Sequence, residues 1–138
     1  VWSTKNRFPF LNEEIRPQLF DHIRTNAREK EIYIDSLNGY TDHAHCLISL
    51  SANQNIEKLM QLIKGESSFW MNRSGLCNQK FGWQNEYFAT SVSHSQIEKV
   101  RKYIANQDEH HRLTSFDDEF ENFLIRSGFS KFKDGWRG

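Results

Sequence analysis

Two strand-like runs in the first half of the chain are joined by Asn38-Gly39, a dipeptide that favours tight hairpin turns. The first run, Glu31 to Leu37, carries Ile32, Tyr33 and Ile34. The second, Tyr40 to Leu50, is largely apolar. An antiparallel hairpin cannot stand alone in water and needs partners over its apolar face. The flanking segments supply them, because the hydrophobic period there switches to that of helices. Ile15, Leu19, Ile23 and Ala27 recur every four residues within Asn12 to Lys30. Ile56, Leu59, Met60, Ile63 and Trp70 form one stripe within Asn55 to Asn72. Pro17 is tolerated if the first helix starts near Glu13, since first-turn amides have no intrahelical partner.

Val1 to Thr4 and Trp83 to Val92 read as further strands. Ser95-Gln96-Ile97-Glu98 has the capping-box pattern and starts a helix expected to reach about His111. Phe116 to Arg126 reads as a second C-terminal helix. The order is therefore strand, helix, strand, strand, helix, strand, then appended helices. That is an α+β class, the ferredoxin-like split βαβ sandwich, with an antiparallel sheet, helices on one face and C-terminal helices added. With 138 residues, two Pro, seven Gly and no repeat or linker-like stretch, the expectation is a single domain over 1–138.

Charge narrows the function. Eighteen basic and eighteen acidic residues cancel, which argues against coating nucleic acid by bulk charge and leaves room for a local basic patch. Cys46 and Cys77 fit no Cys-x-x-Cys metal pattern, and the expectation is a reduced, cytoplasmic protein with a buried free thiol at Cys46. No apolar stretch of about 18 residues predicts a membrane span, and no signal peptide is visible. The chain opens strand-like at Val1, so residues are expected to precede it.

The chemistry concentrates in two short motifs. His43-Ala44-His45 lies in the apolar strand run, where residues two apart share a face. Tyr103-Ile104-Ala105-Asn106-Gln107 lies in the C-terminal helical run, where residues four apart share a face. Two imidazoles and the Gln107 amide oxygen can hold Mg²⁺ or Mn²⁺ with coordination positions left open, and nitrogen-rich ligation would also accept Zn²⁺, Co²⁺ or Ni²⁺. Tyr103 beside them is a candidate nucleophile that would displace a 3′-hydroxyl and leave a 5′-phosphotyrosine. His110 is a candidate base, and His110 and His111 also suit a solvated helix end. Asp42 is a possible extra ligand, an acceptor to an imidazole, or a strand-end aspartate. Each part has a plainer reading: histidines on a polar sheet face, and a half-buried tyrosine in a stripe with Ile97, Val100 and Ile104. Spacing alone leaves open whether the two halves meet.

Lys5, Arg7, Lys58, Lys64, Arg73 and Lys80 are candidate nucleic-acid contacts, with Trp70 and Trp83 as candidate base-stacking partners. A solvated helix face is the plainer reading of any one of these cations.

These residues resemble the single-tyrosine transposases of the IS200/IS605 insertion sequences, members of the HUH endonuclease superfamily. The resemblance covers nearly the whole chain. It is carried by Val1-Trp2-Ser3-Thr4-Lys5-Asn6-Arg7, Asp42-His43-Ala44-His45-Cys46-Leu47-Ile48, Ile63-Lys64-Gly65-Glu66-Ser67-Ser68, Trp83-Gln84 with Tyr87-Phe88, Ser91-Val92-Ser93, and Tyr103 to Gln107 followed by His110-His111. Thr41 stands where the family often has proline. The resemblance implies a ferredoxin-like core, a homodimer with shared active sites, metal ligation by His43, His45 and Gln107, and Tyr103 as nucleophile. It implies single-stranded DNA with subterminal hairpins as substrate, in a bacterial or archaeal cytoplasm. The alternatives are a domesticated relative acting on repeated hairpins, a hairpin-binding module without chemistry, and a water-using phosphoesterase with Tyr103 as bystander. Four intact residues, His43, His45, Tyr103 and Gln107, argue against the binding module.

Overall fold

The central sheet has the order β1-β3-β2, built from β1 (Trp2–Ser3), β2 (Tyr33–Gly39) and β3 (His43–Ser49), all antiparallel. This computed structural model describes residues 1–107, 122, 125, 126, 130–132 and 135–137. They fall in two units, Val1–Ala105 and Asn106–Gly138. The first carries the sheet and three α-helices.

The first helix, α1 (Ile15–Glu29), buries Ile15, Leu19, Phe20, Ile23 and Ala27, the expected stripe plus Phe20. The Asn12 carboxamide accepts from the amides of Glu14 and Ile15, at 3.0 and 2.8 Å, and the Arg16 amide donates to the Asn12 carbonyl at 2.9 Å, so the first turn opens near Glu13 as the sequence suggests, with Pro17 close behind it. Glu31 takes a left-handed φ of 59° after the helix, so the next strand starts at Tyr33 rather than at Glu31. The second helix, α2 (Ile56–Ser74), is capped by Asn55, whose side chain accepts from the Lys58 amide at 2.9 Å. It is terminated by Gly75 at φ 72°. Both helices pack over the sheet face that presents Leu37 and Ala44, forming one core with Phe10, Leu11 and Phe81. Each such aliphatic or aromatic side chain contributes about 1.5–3 kcal/mol when fully buried.

Asn38-Gly39 is not the turn. Asn38 pairs with His45 and Gly39 with Ala44 inside the ladder, and the connection is Tyr40–Thr41–Asp42. Glycine is required at 39 for close approach, since a Cβ there would lie 2.1 Å from the His43 carbonyl oxygen. The ladder also shifts between Ile34 and Ser36. Ile34 and Leu37 both face the core yet are an odd number of residues apart, so a strict period of two cannot bury both. A bulge resolves this by setting Asp35 and Ser36 together opposite Leu47, on the face away from α1 and α2.

That opposite face is covered by α3 (Ile97–Ala105), entered through a 3₁₀ turn at His94–Gln96. The expected capping box does not form at Ser95. The turn closes instead by the Gln96 amide donating to the Ser93 carbonyl at 2.9 Å. The described helix ends at Ala105; the expected extension to His111 runs into residues outside the described set.

Trp83 to Val92 does not form the expected strand. The segment starts along β1, with Lys5 N to Gly82 O at 2.8 Å, a Thr4–Trp83 bridge and Gln84 N to Ser3 O at 2.9 Å. The carbonyls of Gln84, Asn85 and Glu86 then turn to Lys64 Nζ on α2, at 2.5, 3.0 and 3.2 Å, and the segment meets the edge again at Phe88, which exchanges both main-chain bonds with Val1 at 2.8 and 2.9 Å. In the second unit, β4 (Ser130–Phe132) and β5 (Gly135–Arg137) pair antiparallel, an element the sequence reading did not assign. Of the expected helix at 116–126, only Asn122, Ile125 and Arg126 are described, and they are helical.

Candidate active site

Alternation along β3 sends Ala44 into the core and His43 and His45 to the α3 face. Both imidazoles are buried, at 0% and 2% exposure, and their rings stand nearly perpendicular with centroids 5.1 Å apart. The loop before them is pinned by main-chain bonds. Thr4 N donates to Asp42 O and Leu11 N to Thr41 O, each at 2.8 Å. Asp42 Oδ1 lies 2.9 Å from His43 Nδ1, so the carboxylate accepts there, holds the Nδ1–H tautomer and leaves Nε2 with its lone pair. Arg7 Nε stands 3.6 Å from Asp42 Oδ2. Arg7 reaches it from a left-handed backbone, φ 55°, a conformation that costs a non-glycine residue about 1–2 kcal/mol. Of the three readings open for Asp42, the structure shows the acceptor.

Tyr103 on α3 meets this pair. Its half-buried ring packs edge-on against His45, centroids 5.4 Å apart and planes at 88°. The strand motif and the tyrosine of the helix motif are thus brought together. Gln107 is buried and belongs to the second unit. His110 and His111 lie outside the described residues.

The donor set suits a divalent metal in part. An imidazole nitrogen ligates at about 2.1 Å, which sets two rings on one ion about 5 Å apart at near-right-angle coordination. The His43–His45 separation of 5.1 Å matches that spacing. A carboxylate behind one imidazole is the usual outer support of a ligating histidine. Among the described residues no group of three or more His, Cys, Asp or Glu converges. Cys46 is no ligand to this site: it points to the opposite face, and burial pushes its thiol up to about 12.

The basic candidates divide. Lys5, Lys64 and Lys80 line one groove of about 590 Å³ between α2 and the 80–87 segment, together with Gln84 and Tyr87. The Lys64 ammonium is occupied by its three carbonyls, and burial lowers its pKa, so it shapes the groove wall. Lys58 and Arg73 are exposed on α2 and do not line the groove, and Arg7 is turned to Asp42. Both tryptophans are engaged by other side chains. Trp83 is buried, donates to Ser67 Oγ at 2.9 Å and packs on Trp2 and Phe81. Trp70 stacks on His22 at 4.3 Å. The exposed aromatic of the groove is Tyr87, which the sequence reading named in the resemblance but not as a stacking partner; its ring centroid is 5.8 Å from Lys64 Nζ.

Comparison with known proteins gives the family and the fold. The family profile described as "Transposase IS200 like" matches residues 1–107. The ISDra2 transposase TnpA of Deinococcus radiodurans is 26% identical over 112 residues, covering 78% of this chain and 80% of that protein. A crystal structure of a candidate transposase from Deinococcus radiodurans R1 superposes with a TM-score of 0.63 at 25% identity, over 77% of this chain and 85% of that one.

Proposed function

The chain belongs to the IS200-like transposase family, and from that premise we propose that it cleaves and rejoins single-stranded DNA through a covalent bond to Tyr103. The observation that carries the reading is the Tyr103 ring packed edge-on against His45, one of two buried histidines on the same strand face.

In this reading the Tyr103 hydroxyl attacks a backbone phosphorus. The new bond joins Tyr103 Oη to phosphorus, the bond from phosphorus to the upstream 3′-oxygen breaks, and that oxygen leaves as a 3′-hydroxyl on taking up a proton. The tyrosine proton is lost to solvent or a nearby base. A 5′-phosphotyrosine remains, and a second 3′-hydroxyl reverses the step and rejoins a strand. The ester exchange is close to isoenergetic, so no nucleotide cofactor is needed. His43, His45 and Gln107 would hold Mg²⁺ or Mn²⁺, which when bound supplies Lewis-acid polarisation of a non-bridging phosphoryl oxygen. Asp42, accepting at His43 Nδ1, would orient the imidazole for that role. A tyrosine hydroxyl ordinarily titrates near ~10, so activation at neutral pH is part of the site's task.

The groove with Lys5, Lys80 and Tyr87 would take the DNA outside the cleavage point, with ammonium groups on phosphates and the ring on a base. Hairpin-bearing element ends are the substrate this reading names, with a homodimer in a bacterial or archaeal cytoplasm as the working assembly. Among the described residues no helix is long and apolar enough to cross a membrane.

The test is incubation with Mg²⁺ or Mn²⁺ and labelled single strands spanning the DNA that flanks the coding region, resolved on a denaturing gel. A labelled band at protein-plus-DNA mass, lost with EDTA and in Tyr103→Phe, supports the proposal. Cleavage with no adduct would assign a water-using phosphoesterase. Binding without cleavage would assign a binding module.

A further inference from the structure

The geometry points to Asp35 and Asn38 of β2 as positioning residues: we propose that their polar contacts to α3, more than apolar packing, hold Tyr103 against His45. The inference rests on the reading of Tyr103 as nucleophile for its functional meaning, though not for the docking itself.

Among the described residues the third helix offers little apolar burial. It is nine residues long and buries one residue, Ile104. Helices shorter than about 12 residues are marginal in water, so its order must come from tertiary contacts. Two polar contacts bracket Tyr103. Two residues before it, one edge of the Arg101 guanidinium engages both carboxylate oxygens of Asp35. Its Nε lies 3.0 and 3.2 Å from the two carboxylate oxygens, and its Nη2 lies 2.7 Å from Oδ2. Arg101 also bonds Glu98 one turn back on the same helix. The Asp35 carboxylate faces α3 because the bulge sets both Asp35 and Ser36 opposite Leu47. Ser36 Oγ donates to Asp35 Oδ1 at 2.8 Å and fixes its orientation.

Just after Tyr103, the Asn38 amide Nδ2 donates to the carbonyls of Ile104 and Ala105, at 3.0 and 3.3 Å. Asn38 is also the cross-strand partner of His45 in the ladder. One side chain therefore binds the main chain of the helix that carries Tyr103 from a point directly opposite His45. Loss of these bonds would let Tyr103 and its histidine separate.

The test compares Asn38→Asp, near in shape but unable to donate, with Asp35→Asn, and with the charge exchange of Asp35→Arg combined with Arg101→Asp. Three readouts are taken on the full chain: hydrogen exchange of the α3 amides, affinity for the flanking single-stranded DNA, and the rate of covalent adduct formation with Mn²⁺. Both single variants are expected to lose α3 protection and to slow adduct formation on the order of 10²-fold, the loss typical of a misplaced reacting group. DNA affinity and the melting of the core are expected to stay unchanged, and the charge exchange is expected to restore protection. Unchanged α3 protection in both single variants overturns the proposal, as does a loss of DNA affinity equal to the loss of rate. If the wild-type chain forms no adduct, the nucleophile reading falls, and the exchange measurement still decides the docking.

Discussion

His43 and His45 are a consequence of the shortest-range rule in the chain, the alternation of side chains along a strand. Their common face is therefore legible in three residues. Asp42 is different. Its role depends on the loop being pinned by Thr4 and Leu11, which no local pattern reveals. The account predicts that Asp42→Ala weakens Mn²⁺ binding by about 10–100-fold, as loss of an outer partner to a ligating histidine does. Titration calorimetry reads this directly, and unchanged affinity would remove Asp42 from the site. The lysines and tryptophans were less legible for the same reason. Lys64 meets three carbonyls some twenty residues away, and Trp83 and Trp70 find Ser67 and His22 through packing. Cys46 permits a sharper expectation. With its thiol pushed up to about 12 by burial, it should resist alkylation in the native protein at pH 8 and react only on unfolding. Mass spectrometry of iodoacetamide-treated protein distinguishes the two.

Elements follow from periodicity where one face is buried, and α1, α2 and the β2–β3 pair were legible on that ground. Their edges were set by contacts the pattern does not contain. The Asn38-Gly39 signal was misplaced because Gly39 serves close backbone approach rather than a turn. Gly39→Ala should then destabilise the first unit by about 1–3 kcal/mol or more, the range for overpacking. Thermal unfolding measures this, and a neutral result would contradict the packing described. The 83–92 run pairs with the first strand only at its start and at Phe88, and between them its carbonyls turn to Lys64. The contacts to α3 suggest a pH dependence. Arg101 holds the Asp35 carboxyl below the usual carboxylate range, with Ser36 adding to the effect and Glu98 sharing the guanidinium. A depressed carboxylate contributes fully above its ordinary value of about 3.9 and loses that contribution as pH falls through its lowered folded value. After correction for intrinsic exchange rates, α3 protection should be flat from about pH 7 to 5 and fall only below about 4. Loss of protection near pH 6 would point to another group.

For the whole molecule, zero net charge concealed a local arrangement. Lys5 and Lys80 come from opposite ends of the first unit's sequence and meet in one groove beside Tyr87. The sequence named both lysines, but only the fold could separate them from Lys58 and Arg73. If they contact phosphates, each change to alanine should weaken binding to single-stranded DNA and reduce the slope of log affinity against log salt by about 0.7. Lys58→Ala and Arg73→Ala should change neither. The central claim is that the buried histidine pair and Tyr103 form one transesterification centre. It is tested most directly by digesting the Mn²⁺-dependent protein–DNA adduct and sequencing the modified peptide by mass spectrometry. The account predicts a 5′-phosphonucleotide on Tyr103. A nucleotide on any other residue, or cleaved DNA with no modified peptide, would contradict it.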